Sequence, residues 1–200
     1  MRERICVPMI ALCLLLCGCG GTEETVSPAE AARQPYQDMT GCSMEAEVTC
    51  GAGTEEALTF TLRCDYVPGG ESTVEVLAPE TVAGIRAAVE GETMKLTYED
   101  LCLNVGTLSS QKLSPAVCLP RLMSALRQGW LLEENREELG DVPCLRLCLD
   151  QTGDGGEKIL STLWLRQEDG TPLRGEISVE DEIILQARFT AFDFGDILTN

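Results

Sequence analysis

Met44-Glu45-Ala46-Glu47-Val48-Thr49-Cys50, a turn at Gly51-Ala52-Gly53, then Leu58-Thr59-Phe60-Thr61-Leu62-Arg63-Cys64-Asp65-Tyr66: the reading of this stretch decides the fold. Met44, Ala46, Val48 and Cys50 fall on one side of an extended chain, and Glu45, Glu47 and Thr49 on the other. Leu58, Phe60, Leu62, Cys64 and Tyr66 repeat the pattern against Thr59, Thr61, Arg63 and Asp65. Strict alternation means strands with one apolar and one wet face. A short glycine-rich connection forces the two to pair antiparallel.

Downstream, the turn Pro68-Gly69-Gly70 leads into predicted strands over 72–77, 84–90, 93–98 and 101–105, with a hairpin tip at Glu90-Gly91-Glu92. The period then changes. Ser114-Pro115 and Pro120 each suit a helix start, Gly129 suits a stop, and Leu122, Met123, Ala125 and Leu126 form an apolar helical face. Because proline does not sit well deep in a regular helix, a turn is expected at 115–119 and a helix from about 120 to 128. After Pro143, Leu145, Leu147 and Leu149 alternate with Cys144, Arg146 and Cys148. Strands over 158–166, 172–179 and 182–194 follow; in the last, Ile183, Leu185, Ala187, Phe189 and Ala191 share a face. Upstream, Gly20 to Thr40 is small and polar and reads as a tether. Within it, Ser27-Pro28-Ala29-Glu30 has capping-box spacing, which makes a short helix through about Gln37 plausible.

The sum is a mainly β (α+β) meander of about nine or ten strands with one helical insertion. A sheet of that length must curl or close to hide its apolar face. One short helix covers only part of it. The economical solution is a curved antiparallel half-barrel packed on one or two short helices, with a leftover cavity. Leu58, Phe60, Leu62, Trp164, Leu185 and Phe189 are the expected lining.

The chain has 200 residues, enough for one ordinary domain and a tail. Hydrophobic content of 44% with 24% charged residues fits a folded chain, not a disordered one. The net charge of -18 repels phosphate, so no nucleic-acid partner is expected. There is no histidine, which removes the commonest general base, metal ligand and pH switch.

The first residues carry an address. Met1-Arg2-Glu3-Arg4 is a short basic start, and Ile5 to Cys17 is uncharged and mostly apolar, the length of a signal-peptide core and too short to span a bilayer. Leu16-Cys17-Gly18-Cys19 resembles the lipobox of bacterial lipoproteins, with aliphatic Leu16 at -3, small Gly18 at -1 and Cys19 at the cut. The resemblance implies that residues 1–18 are removed and that Cys19 carries a covalent diacylglycerol through a thioether. No other cofactor is expected. The cut takes away Arg2, Arg4 and Glu3, two positive charges and one negative, which leaves -19. The expected division is therefore signal peptide 1–18, lipid anchor and flexible tether 19–41, and β domain 42–200. The expected location is the extracytoplasmic face of a bacterial cell membrane.

Seven cysteines remain beyond the anchor: Cys42, Cys50, Cys64, Cys102, Cys118, Cys144 and Cys148. An odd number cannot all pair within one chain. Unpaired thiols in an exported protein point to an anaerobic habitat, where cysteine serves as a small apolar residue. No CxxC occurs, and Cys144-x3-Cys148 stands alone, so a zinc site is not expected.

The order of elements is similar to that of the LolA-like group of bacterial envelope proteins. The likeness rests on the lipobox and tether, the Met44 to Tyr66 hairpin, and the stretch Val76-Leu77-Ala78-Pro79-Glu80-Thr81-Val82-Ala83-Gly84-Ile85. Leu96-Thr97-Tyr98, the Ser114-Pro115 to Gly129 helix and the closing Phe192-Asp193-Phe194-Gly195 complete it. Within that group the chain most resembles uncharacterised lipoproteins of Gram-positive anaerobes. The resemblance implies an incomplete antiparallel β-barrel with helices over its mouth. The family's periplasmic carrier is soluble, whereas this chain carries an anchor signal.

Other constellations have plainer readings. Asp150-Gln151-Thr152-Gly153-Asp154-Gly155-Gly156-Glu157 has oxygens at places 1, 3 and 5 of a calcium loop, but place 12 is Ser161, not glutamate. A hairpin connection wants the same residues. Glu99-Asp100, Glu133-Glu134, Glu137-Glu138 and Glu180-Asp181-Glu182 are carboxylate pairs of the kind a glycosidase uses, and equally the kind an acidic surface accumulates. No nucleophile has a histidine partner, and no motif surrounds Lys95, Lys112 or Lys158. Trp130 and Trp164 are candidates for a ligand pocket; the alternating strand around Trp164 favours the core. The expected function is binding: of an apolar ligand, an acyl chain, or an envelope partner. A carboxylate-dependent hydrolase and a structural or regulatory accessory without a small ligand are the alternatives. No catalytic and no metal residues are assigned.

Overall fold

The computed structural model describes residues 26–91, 93–99, 101–107, 114–153 and 156–195. The lipobox residues Leu16, Gly18 and Cys19, and Asp154 of the acidic loop, lie outside the described residues. Helix α1 (Pro28–Asp38) is followed by strands β1 (Cys42–Cys50), β2 (Leu58–Tyr66), β3 (Ser72–Ala78), β4 (Arg86–Glu90), β5 (Thr93–Tyr98) and β6 (Leu101–Thr107). After helix α2 (Pro115–Gln128) come β7 (Trp130–Leu139), β8 (Val142–Asp150), β9 (Ile159–Arg166), β10 (Pro172–Val179) and β11 (Glu182–Asp193).

All eleven strands belong to one sheet in the order β6-β5-β4-β3-β2-β1-β11-β10-β9-β8-β7. Every neighbouring pair is antiparallel. The expected mainly β half-barrel is thus the fold observed. The first and last strands meet in the middle, with Val48 opposite Ala187 and Cys50 opposite Leu185. The opening hairpin has the register its alternation demands, Met44 against Cys64 and Ala46 against Leu62. Register shifts interrupt six of the pairs. Each adds bend and twist, which is how so wide a sheet curves.

The strands β6 and β7 are the two edges, and α2 is the segment that joins them. It therefore crosses the concave face. Cys118, Leu119, Leu122, Met123, Ala125 and Leu126 are completely buried against Ala46, Leu62, Leu147, Leu149, Leu163 and Ile177. The helix starts at Pro115, not near 120, with Ser114 as N-cap and Pro120 inside it. The proline forgoes one backbone bond, but Val117, Cys118 and Leu119 before it are buried apolar residues that the helical path brings onto the sheet. Gly129 ends the helix at φ −62, so left-handed freedom is not its purpose. A Cβ there would lie 2.7 Å from the Ala125 carbonyl oxygen and 3.0 Å from Leu149 Cβ.

Two further expectations are corrected. The strand β7 is not among those the alternation predicts, because Glu133-Glu134 and Glu137-Glu138 break any apolar pattern and a shift between Leu131 and Glu133 breaks the period. An edge strand needs little apolar surface, and charge along it guards against unwanted pairing. The folded body also begins well before residue 42. The capping box at Ser27 forms as expected, but α1 is no free-standing turn of a tether. Tyr36 is wholly buried, its hydroxyl donates to the Gly170 carbonyl at 2.6 Å, and its ring packs against Phe192 and Phe194. The two helices cap each other. Arg33 donates to the carbonyls of Leu126 and Gly129, both at 2.8 Å, and Arg127 donates to those of Tyr36, Gln37 and Met39. These carbonyls belong to helix C-termini, where no backbone donor remains and a cation also suits the dipole.

Candidate functional site

The concave face divides into a covered and an uncovered part. Under α2, the side chains of β1, β2 and β8 to β11 are core. The outer arm runs from β3 to β6, and its apolar face outlasts its cover. Register places Ala87 opposite Leu96, Leu96 opposite Leu103 and Tyr98 opposite Leu101, all on the concave side with Val74 and Val89. Val74, Ala87, Val89 and Met94 are buried, but Leu96 is only partly so. Tyr98 is 45% exposed, Leu103 64% and Leu101 75%. On the inner side of this arm, Phe60 and Val76 are partly buried and Leu58 is 62% exposed. A row of apolar side chains thus crosses from β2 to β6, a span of about 19 Å at the usual strand spacing.

The six expected lining residues are dispersed by this arrangement. Leu58 and Phe60 stand at the inner end of the uncovered row. Leu62, Leu185 and Phe189 are packed beneath α2 as core. Trp164 is on the opposite, convex face, since Leu163 and Leu165 beside it are the ones in the core. There its indole lies between Arg146 and Arg174, 5.8 and 5.1 Å from the ring centre, and its N–H donates to Glu137 at 2.9 Å. The residues that sequence reasoning passed over are Tyr98, Leu101 and Leu103. Their alternation announced a strand, but nothing local announces that a helix elsewhere stops short of them.

A second concavity, of about 590 Å³, opens where the β2–β3 and β4–β5 tips face the β8–β9 connection across α2. Its wall includes Tyr66, Ser72, Ser124, Gln151 and Glu157. These polar groups are mostly structural. Ser72 Oγ accepts from the Val67 N–H, Gln151 donates to the Arg121 carbonyl and accepts from Ser161. Burial raises the Tyr66 phenol above its ordinary value, so it stays protonated. In the β8–β9 connection, Asp150 accepts from the Thr152 N–H at 2.7 Å, a turn contact that suits a hairpin connection. No cluster of metal-ligating side chains occurs among the described residues.

The carboxylate pairs do not build a cleft among the described residues. Glu133 and Glu134 are consecutive in a strand, as are Glu137 and Glu138, so the members of each pair point to opposite faces. Glu133 pairs with Arg146 at 3.2 Å, and Asp181 with Lys158 at 2.6 Å on a hairpin tip. Asp100 lies outside the described residues.

The seven cysteines are all free thiols. Cys42, Cys64 and Cys118 belong to the core, where burial pushes the Cys42 thiol up to about 12 and raises those of Cys64 and Cys118 as well. They stay protonated at any physiological pH and act as small apolar residues. Cys102 is exposed on β6. With iodoacetamide at pH 8, Cys102 is expected to alkylate at an ordinary rate, and the three core thiols roughly a hundredfold or more slowly until denaturant is added. Peptide mass spectrometry over time checks this; comparable early labelling of Cys42 or Cys118 would contradict the packing described.

No protein-family description matches the chain, and no curated protein does. Solved structures of similar shape exist. An uncharacterised conserved protein from Thermus thermophilus superposes with a TM-score of 0.50 at 12% identity, covering 84% of this chain and 87% of that one. A LolA superfamily protein from Nitrosomonas europaea gives 0.48 at 11% identity, covering 84% and 94%. The lipoprotein LppX from Mycobacterium tuberculosis gives 0.45 at 13% identity, covering 84% and 93%. At these identities the likeness is one of fold.

Proposed function

We propose that this chain is a lipid-anchored, extracytoplasmic envelope protein that holds an apolar ligand, in the first place an acyl chain, against the uncovered concave arm. One observation carries the reading: Tyr98, Leu101 and Leu103 present apolar surface on the inside of a curved sheet, where the covering helix does not reach. Apolar surface gathered in a concavity is the usual form of a small-molecule site. The row spans the length of a long-chain acyl group laid across the strands. The anchor at Cys19 would keep such a site beside a membrane, the source and destination of acyl chains.

A fluorescent fatty-acid titration tests this. Saturable binding is expected, and Leu101→Glu is expected to weaken it at least about tenfold, because a carboxylate must then be desolvated against the chain. Leu101 is exposed, so the fold should survive. Thr97→Glu, on the same arm but the convex face, is the control and should leave affinity unchanged. Absence of saturable binding, or equal loss in both variants, would remove the ligand reading.

A second reading is favoured by the edges themselves. Leu101 to Thr107 holds no charge, whereas the opposite edge, Trp130 to Leu139, carries four Glu and one Arg. An unguarded edge is a template for another strand. Docking of an envelope protein there predicts protein binding without saturable uptake of the fatty acid.

A further inference from the structure

The most exposed tryptophan lies far from the concave arm, at the start of β7. Trp130 is 76% exposed, and Leu132, two residues on, is 47% exposed. Neither belongs to the core. We propose that Trp130 and Leu132 form a membrane-contacting pole that seats the half-barrel on the neutral headgroup region of the bilayer holding the anchor. The proposal rests on the reading that Cys19 carries lipid.

Chain geometry ties this pole to α1, the helix that follows the anchor signal in sequence. Arg33 Nη2 donates to the Gly129 carbonyl at 2.8 Å, so the middle of α1 is fastened beside the residue that precedes Trp130. Ser27, the N-cap of α1, lies about 9 Å back along the helix from Arg33. Whatever path they take, the eight residues from Cys19 to Ser27 span at most about 29 Å. The tether is therefore short, and it leaves the body from the helix that is fastened beside Trp130. Val26, at the same exit, is also exposed.

The side chain suits the place. An indole has a broad apolar face and one N–H donor, which is why tryptophan concentrates at the headgroup boundary of membranes. Charge selects the kind of surface. Asp150 stands opposite Trp130 in register, and Glu133 and Glu134 follow Leu132 directly. An anionic leaflet would repel these carboxylates within a Debye length, so neutral headgroups are the fitting surface. Contact at this pole would fix the orientation of the half-barrel, which a tether alone leaves free.

The test uses the full-length lipid-modified protein on phosphatidylcholine vesicles whose acyl chains are brominated. Trp130→Phe changes an exposed side chain only, and its emission supplies the background from Trp164. The difference between wild type and variant reports Trp130. Bromine is expected to quench at least about half of that difference emission, as for a ring at the headgroup boundary, and less in phosphatidylglycerol vesicles. If the protein sediments with vesicles but Trp130 is quenched by aqueous iodide and not by bromine, the pole is overturned and the anchor stands. If the protein does not sediment with vesicles, both are overturned.

Discussion

Gly175→Ala is expected to lower stability by about 1–3 kcal/mol, although it adds a single methyl group to a strand. A Cβ at Gly175 would lie 2.5 Å from Leu122 Cδ1 and 3.1 Å from its Cδ2. Leu122 is completely buried, so its branched end has no solvent-side rotamer to escape into. Gly175 stands in β10 between Leu163 and Ala187, directly beneath Leu122 of α2. The methyl must either displace Leu122 or lift the helix, and lifting the helix loosens Leu119, Met123 and Leu126 with it. Leu122→Ala alone is expected to cost about 2–5 kcal/mol by leaving a cavity. The two changes oppose each other in volume, so the double variant should be more stable than the sum of the single losses predicts, by about 1 kcal/mol or more. Urea midpoints of the four proteins measure this, provided the slopes agree. A strictly additive result would mean that the helix does not rest on this glycine.

The same close approach marks the limit of what the sequence conveyed. Period-two patterns made β1, β2 and β8 legible residue by residue, and the capping box at Ser27 announced α1; in β11 the alternation holds for Leu185, Ala187 and Phe189, but register shifts take Ile183 and Ala191 off that face, opposite Ser178 and Glu45. Those signals are local: each depends on neighbours within a turn or a strand. Tyr36 carried no such signal, because its partners are Gly170, Phe192 and Phe194, more than a hundred residues away. Arg33 and Arg127 carry no local signal of their role either, yet each satisfies the end of the other's helix. The backbone chemistry of Pro120 predicts a helix boundary, and tertiary burial overrides that preference. The candidate site failed to be legible for a related reason. Alternation assigns each residue to a face, and it did so correctly for Leu62, Leu185 and Phe189. It does not say how far a crossing helix reaches, and that reach separates the core from the open row at Tyr98, Leu101 and Leu103. Trp164 shows the converse: a large aromatic residue within an alternating strand lies on the polar face, sheltered by Arg146 and Arg174.

Cys19→Ser is expected to empty the membrane fraction of this protein. A diacylglycerol is held by a thioether, and a serine hydroxyl cannot form one, so the variant keeps its signal or is released without lipid. The effect should be close to complete, because no other described feature provides an equivalent anchor. No described helix is long and apolar enough to cross a membrane. The acidic body, at net charge -18 over the whole chain, gains nothing from an anionic surface. The contact proposed for Trp130 and Leu132 adds area but does not replace inserted acyl chains, two of which hold stably where one binds only marginally. The fold should be untouched. The first structural side chain described is the N-cap Ser27, and α1 is held to the body by Tyr36, Arg33 and Arg127, all downstream of the change. Circular dichroism and the urea midpoint of the released variant should therefore match those of the wild-type domain. Partitioning between aqueous and detergent phases decides the matter. Wild type in the aqueous phase, or a variant that still enters detergent after its signal is shown to be cut, would mean that Cys19 is not the site of attachment.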